Sequence, residues 1–143
     1  MVTGTFKHGK HSVPIQLGYV LAHGKLFDLG LDVLSIMKDN TIVPTIMLDD
    51  SLMLKIWWYY ITEAIKDGKI DDHTFEEALE ILDEQPKGLE HFRKAFWELV
   101  VGFSSTQLQP ILKQMWKEVE KQTKAAGEKN STISISALQP DSE

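Results

Sequence analysis

Two closely spaced histidines, a run of carboxylates and a serine pair are the residues of this 143-residue chain whose types and spacing could do chemistry. His8 and His11 flank Gly9-Lys10, and neutral imidazoles are common zinc ligands, but a zinc site needs at least a third ligand. None follows at a suitable spacing, and His23, His73 and His91 are scattered. The absence of cysteine removes disulfides, thiol catalysis and thiolate metal sites. Between Asp67 and Glu90, nine acidic side chains stand against Lys69 and Lys87 alone. A calcium loop places oxygen ligands at alternate positions around a central glycine, and Asp67-Gly68-Lys69-Ile70-Asp71-Asp72 does not. These carboxylates read instead as a helix start, where they favour the dipole, and a solvated face, with docking to a basic partner as the alternative. Ser104-Ser105 has no base at a recognisable spacing, and no glycine-rich phosphate loop occurs. The expectation is a chain with no catalytic residues, no metal and no cofactor: not an enzyme.

The charge balance narrows the partners. A net charge of −6 without a large basic patch is poorly suited to neutralising phosphates, so nucleic-acid binding is not expected. Lys113, Lys117 and Lys121 do form a four-residue-step stripe, which reads as a solvated face or as a seat for acidic groups. No stretch reaches the roughly 18 apolar residues of a membrane span, and the N-terminus lacks a signal-peptide core. A soluble cytoplasmic protein is expected.

The elements that position these residues follow from periodicity. Thr5 to Leu17 alternates around a Gly-containing turn and predicts a small N-terminal β-hairpin, with Pro14 marking an edge or a strand end. Gly18 to about Asn40 reads as two helices, stopped at Gly30 and reopened at Asp32, and residues 41–49 as a loop or short extended piece. Asp50 or Ser51 can cap a helix that runs to about Lys66, with Gly68 as its stop. Thr74-Phe75-Glu76-Glu77 is a capping-box pattern opening the next. Leu89, Phe92, Phe96, Leu99 and Phe103 then recur at helical steps, with Glu90, Arg93, Lys94 and Glu98 on the other face. A last helix carries Leu108, Ile111, Leu112, Met115, Trp116 and Val119, with Pro110 in its first turn. The expected fold is mainly α: a single domain of five or six helices over residues 1–126 with the small N-terminal β-hairpin. Residues 127–143, polar and poor in large apolar side chains, are expected to form a disordered tail.

The helix from Ser51 to Lys66 is the most informative element. Lys55, Thr62, Glu63 and Lys66 share one narrow stripe, and nearly all the remaining circumference is apolar around Trp57-Trp58-Tyr59-Tyr60. A helix apolar around most of its girth is enclosed from several sides. Either its own chain encloses it, or one edge meets another protein, where Trp and Tyr combine large area with a polar tip. Trp57, Trp58 and Tyr60 are candidate protein-binding residues on that reading, with Phe92, Phe96 and Trp116 as mixed core and groove positions.

Three segments carry a family resemblance over about residues 5–124: Phe6–Leu17, Leu54–Ala64 and Thr74–Glu84. The order of a short hairpin, an apolar helix with a Trp-Tyr centre, the capping-box helix and a Phe-rich amphipathic helix resembles the short tail assembly chaperones of long-tailed phages and prophages of Gram-positive bacteria. The resemblance implies a non-enzymatic protein in the host cytoplasm. Such a protein binds the tape-measure protein, keeps its helices soluble and helps the major tail-tube protein polymerise around it. Many such genes also make a longer form by ribosomal frameshifting. Here Glu128-Lys129-Asn130 can be encoded GAA-AAA-AAC, which holds A-AAA-AAC in the frame for a −1 slip, although other spellings exist. Self-association into a homo-oligomer is also expected from the apolar content. The alternative reading is a helical protein-binding adaptor or regulator of phage or bacterial origin with no tail role.

Overall fold

Alternation of apolar and polar side chains hinged at Gly9-Lys10 folds the N-terminus into an antiparallel hairpin of β1 (Val2–His8) and β2 (His11–Leu17). The computed structural model describes residues 2–104 and 108–136, with side chains as far as Gln122 except those of Met37 and Asn40. Gly9 takes φ +63° at the first central position of the two-residue turn, the conformation a type II′ hairpin asks of glycine. Phe6 and His8 on β1, with Val13, Ile15 and Leu17 on β2, form the buried face, the period-two pattern of a half-buried strand pair. Pro14 lies inside β2, opposite Thr5, rather than at its end. The position tolerates it because both strands of a two-stranded sheet are edges.

The segment after the hairpin departs from the two helices expected. It forms α1 (Tyr19–Ala22), α2 (Lys25–Leu29), α3 (Val33–Lys38), a 3-10 turn at Asn40–Ile42 and α4 (Val43–Met47). Gly24 separates the first pair, and Gly30, at φ +112°, ends α2 in the left-handed conformation. Asp32 opens α3 as expected, accepting from the Ser35 amide at 3.3 Å and its hydroxyl at 2.8 Å. Residues 41–49, expected to be loop or extended, are mostly helical. Val43-Pro44 supplies the reason, since proline fits the first turn, where its missing N–H has no helical partner to lose.

Three longer elements follow the predicted pattern: α5 (Asp50–Lys66), α6 (Phe75–Glu84) and α7 (Leu89–Phe103). The cap of α5 is Asp49, one residue before the expected pair, and it accepts from the Leu52 amide at 3.1 Å. Gly68 at φ +73° closes that helix, with the Lys69 amide donating to the Ala64 carbonyl at 2.9 Å. On α6 the capping box is complete. The Glu77 amide donates to Thr74 Oγ1 at 3.1 Å, and the Thr74 amide donates back to Glu77 Oε1 at 2.8 Å. These bonds hold the Glu77 carboxyl below its ordinary range. Thr74→Ala is therefore expected to lower stability by about 1 kcal/mol, read as a lower urea midpoint, with Thr74→Ser restoring most of it.

The core forms where the buried hairpin face meets α7 and α5, and α4 packs against α8 (Gln109–Ser136). Phe6 meets Phe92 edge-on with ring centroids 4.9 Å apart, and the Tyr60 hydroxyl donates to the Gln16 carbonyl at 2.6 Å. The chain is thus a mainly α single domain with an N-terminal β-hairpin. The backbone of α8 is helical to Ser136, ten residues into the segment expected to be a tail. Extending an existing helix adds one hydrogen bond per residue without a new nucleus. Residues 137–143, also in the expected tail, lie outside the described residues. No described helix is long and apolar enough to cross a membrane.

Candidate protein-binding groove

The central helix α5 turns out to be enclosed. The hairpin, α2, α4 and α7 all pack against it. Trp57 is 0% exposed and Tyr60 3%, while Phe92 and Phe96 of α7 are also buried. These four proposed contact residues are core, and none of their rings can reach a partner without opening the domain. Trp58 is half-buried, meeting Phe75 edge-on at 5.3 Å. The polar stripe is the solvent side of α5, with Lys55 and Lys66 exposed.

Of the six, Trp116 lies on an open surface feature. It stacks on Trp97 with ring centroids 6.1 Å apart and planes 19° apart. The two rings sit in a cavity of about 520 Å³ between α7 and α8, with Val101 and Gly102 at one end. A second cavity of about 800 Å³ shares Lys94, Glu98, Trp116 and Glu120 with the first and continues past Ala95 to Glu90 and Lys87. Together they make one groove along α7 from Lys87 to Gly102. The fourteen helical residues of that stretch, Leu89 to Gly102, span about 21 Å, close to four turns. Trp97 is buried, yet its indole N–H has no hydrogen-bond partner among the described residues.

Trp97 was not among the expected contact residues, because the periodicity of α7 is carried equally well by its phenylalanines. Arg93 is a second correction. It was assigned to the polar face of α7, but it is buried, donating from Nη1 to the Met47 carbonyl at 2.8 Å and from Nη2 to Asp50 Oδ1 at 2.5 Å. It also lies 3.2 Å from Glu90 Oε1. The guanidinium fork thus ties α7 to the junction of α4 and α5, and nothing in a helical repeat distinguishes that arginine from a solvated one. Burial holds the Glu90 carboxyl above its ordinary value despite Arg93.

The histidines assemble differently from the pair read in the sequence. His8 is buried and faces His73 from the α5–α6 connection, with Nε2 to Nε2 at 3.0 Å, while His11 is exposed. His73 Nδ1 lies 2.8 Å from the Asp71 carbonyl and so carries the proton there, which leaves its Nε2 as the acceptor. His8 Nε2 therefore donates, and its Nδ1 has no partner among the described residues. Burial, then the nearby charges of His73 and His11, lowers the His8 pKa to about 4. No group of three or more His, Asp or Glu that could hold a metal occurs among the described residues. The Ser104 hydroxyl donates to the Val100 carbonyl at 2.8 Å and ends α7. Ser105 lies outside the described residues.

Large apolar side chains are also exposed on the short helices, with Tyr19 of α1, Val20 at 92% and Phe27 of α2 the most open. Tyr19 leans on Phe103 at the end of α7, with centroids 4.9 Å apart. Comparison with protein-family models, curated proteins and solved structures finds no match.

Proposed function

We propose that this chain is a non-catalytic assembly chaperone that holds an amphipathic helix of its client in the groove between α7 and α8. The observation that carries this reading is the groove itself, four helical turns long and floored by the Trp97–Trp116 stack. Helix-in-groove binding uses such a trough, and aromatic anchors contribute most of the affinity. The resemblance of Phe6–Leu17, Leu54–Ala64 and Thr74–Glu84 to tail assembly chaperones makes the client the tape-measure protein of a long-tailed phage, in the host cytoplasm. The major tail-tube protein is the second partner. The spelling of Glu128-Lys129-Asn130 in the gene tests the frameshift: AAG at Lys129 removes the slip site.

The test is co-expression of the full chain with the long helical protein encoded beside it. Its soluble yield should rise several-fold, and Trp116→Ala should remove that gain while lowering the urea midpoint of the chaperone far less than a core substitution such as Trp57→Ala. An unchanged client yield with the wild-type chain would reject the chaperone in favour of the adaptor reading.

A further inference from the structure

We infer that the occupant of the α7–α8 groove is an acidic amphipathic helix, whose carboxylates one turn apart pair with Lys113 and Lys117 while an apolar residue between them rests on Trp116. This rests on the groove being the client seat and adds the chemistry that selects the client. Lys113 and Lys117 are exposed, one turn apart on α8, and line the same cavity as Trp97 and Trp116. Neither they nor Lys94 across the groove has an ion pair among the described residues. Glu98 and Glu120 line that cavity too, yet they stand more than 4 Å from these ammonium groups. The groove's lysines are therefore open to an acid brought by the occupant.

A further observation favours an acidic occupant over a basic one. Away from the groove the surface repels acids, because Asp67–Glu84 concentrates eight carboxylates against Lys69 alone. Asp71, Asp72, Glu76, Glu80, Asp83 and Glu84 of that segment have no ion pair among the described residues. An acidic helix is thus steered away from that face and toward the lysine edge, whereas a basic helix is drawn to the carboxylates.

The probes are two 14-residue helical peptides with the same leucine ridge, one flanked by Glu and one by Lys, titrated calorimetrically into the full chain at low salt. The Glu peptide is expected to bind the wild-type chain, to bind about tenfold more weakly to Lys113→Glu/Lys117→Glu, and to lose binding in Trp116→Ala. The doubly reversed variant should instead prefer the Lys peptide, and its circular dichroism should match wild type because both positions are exposed. Equal or tighter binding of the Lys peptide to the wild-type groove overturns the inference. So does indifference of the Glu peptide to the double reversal, or binding of neither peptide at millimolar concentration. Co-expression separates this inference from the chaperone reading. A client solubilised equally by wild type and by the reversed variant removes the charge rule and leaves the chaperone. A groove that binds the Glu peptide while the client stays insoluble does the opposite.

Discussion

Trp57→Ala is expected to lower the free energy of unfolding by about 3–5 kcal/mol, the range for deleting a large aromatic from a packed core. Trp57 is fully enclosed, with its ring against those of His8 at 5.9 Å and Phe75 at 6.3 Å. Removing the indole strips contacts from α5, the hairpin and α6 at once, and these elements cannot all collapse into the void. Its N–H has no partner among the described residues. Trp57→Phe should therefore be far milder, about 1 kcal/mol or less, since it keeps most of the volume and deletes an unsatisfied donor. Urea unfolding followed by far-UV circular dichroism reads both. The contrast with Trp116→Ala is the useful part: the first substitution should damage the fold, the second the binding. A Trp57→Ala midpoint within experimental error of wild type would mean that α5 is not the core helix.

The second large effect is acid sensitivity centred on His8. Its folded pKa is lowered from 6.5 to about 4, so the unfolded chain binds a proton more readily than the folded one. Stability is complete above pH 6.5, falls as the pH drops through the window from 6.5 to about 4, and is not recovered below it. Between pH 7.5 and pH 5 the wild-type protein should lose about 2 kcal/mol from this group alone. Protonating His8 adds a proton at Nδ1, which has no acceptor among the described residues, and so puts an uncompensated charge in a buried site where the hairpin meets the α5–α6 connection. The neighbouring Gly9 amide donates to Gln85 Oε1 at 2.6 Å at the same end of the hairpin. His8→Phe removes the titration, so its urea midpoint should change less over the same interval, even if it begins lower. Asp32 and Glu77, whose carboxyls hydrogen bonds hold below their ordinary range, are shared by both proteins. Their contribution is present above the usual carboxylate pKa and is lost on further acidification in each. A difference between the two proteins that stayed constant from pH 7.5 to pH 4.5 would remove His8 as the sensor.

The elements with strong local signals were legible from the sequence. The hairpin, α5, α6, α7 and α8 each combine a clear period with a turn or cap residue, and those signals act within a few residues of one another. The region from Tyr19 to Met47 was harder to read. Its apolar residues fit a helical period, but Gly24, Gly30 and Pro44 cut it into pieces too short to be stable alone, and only packing on α5 and α8 decides where each piece begins.

The candidate site was legible in composition and not in place. Trp57, Tyr60, Phe92, Phe96 and Trp116 are all large aromatics at helical spacing, so nothing in the chain separates the ones that fill the core from the one that lines a groove. Arg93 and His8 pose the same difficulty in reverse, because a charged or polar residue enters the core when distant groups meet its hydrogen bonds. For Arg93 those groups are the Met47 carbonyl and Asp50; for His8 the partner is His73.

By itself, then, the sequence determined the class of the protein: a mainly α chain opened by a hairpin, with a central aromatic helix and an acidic middle segment. Those properties depend on residue type and short-range spacing. Only the tertiary structure decided which side of that helix is free. Burial is a property of the assembled elements, and enclosure of α5 by the hairpin, α2, α4 and α7 moves the open aromatic surface from Trp57 to Trp116, which stacks on the buried Trp97.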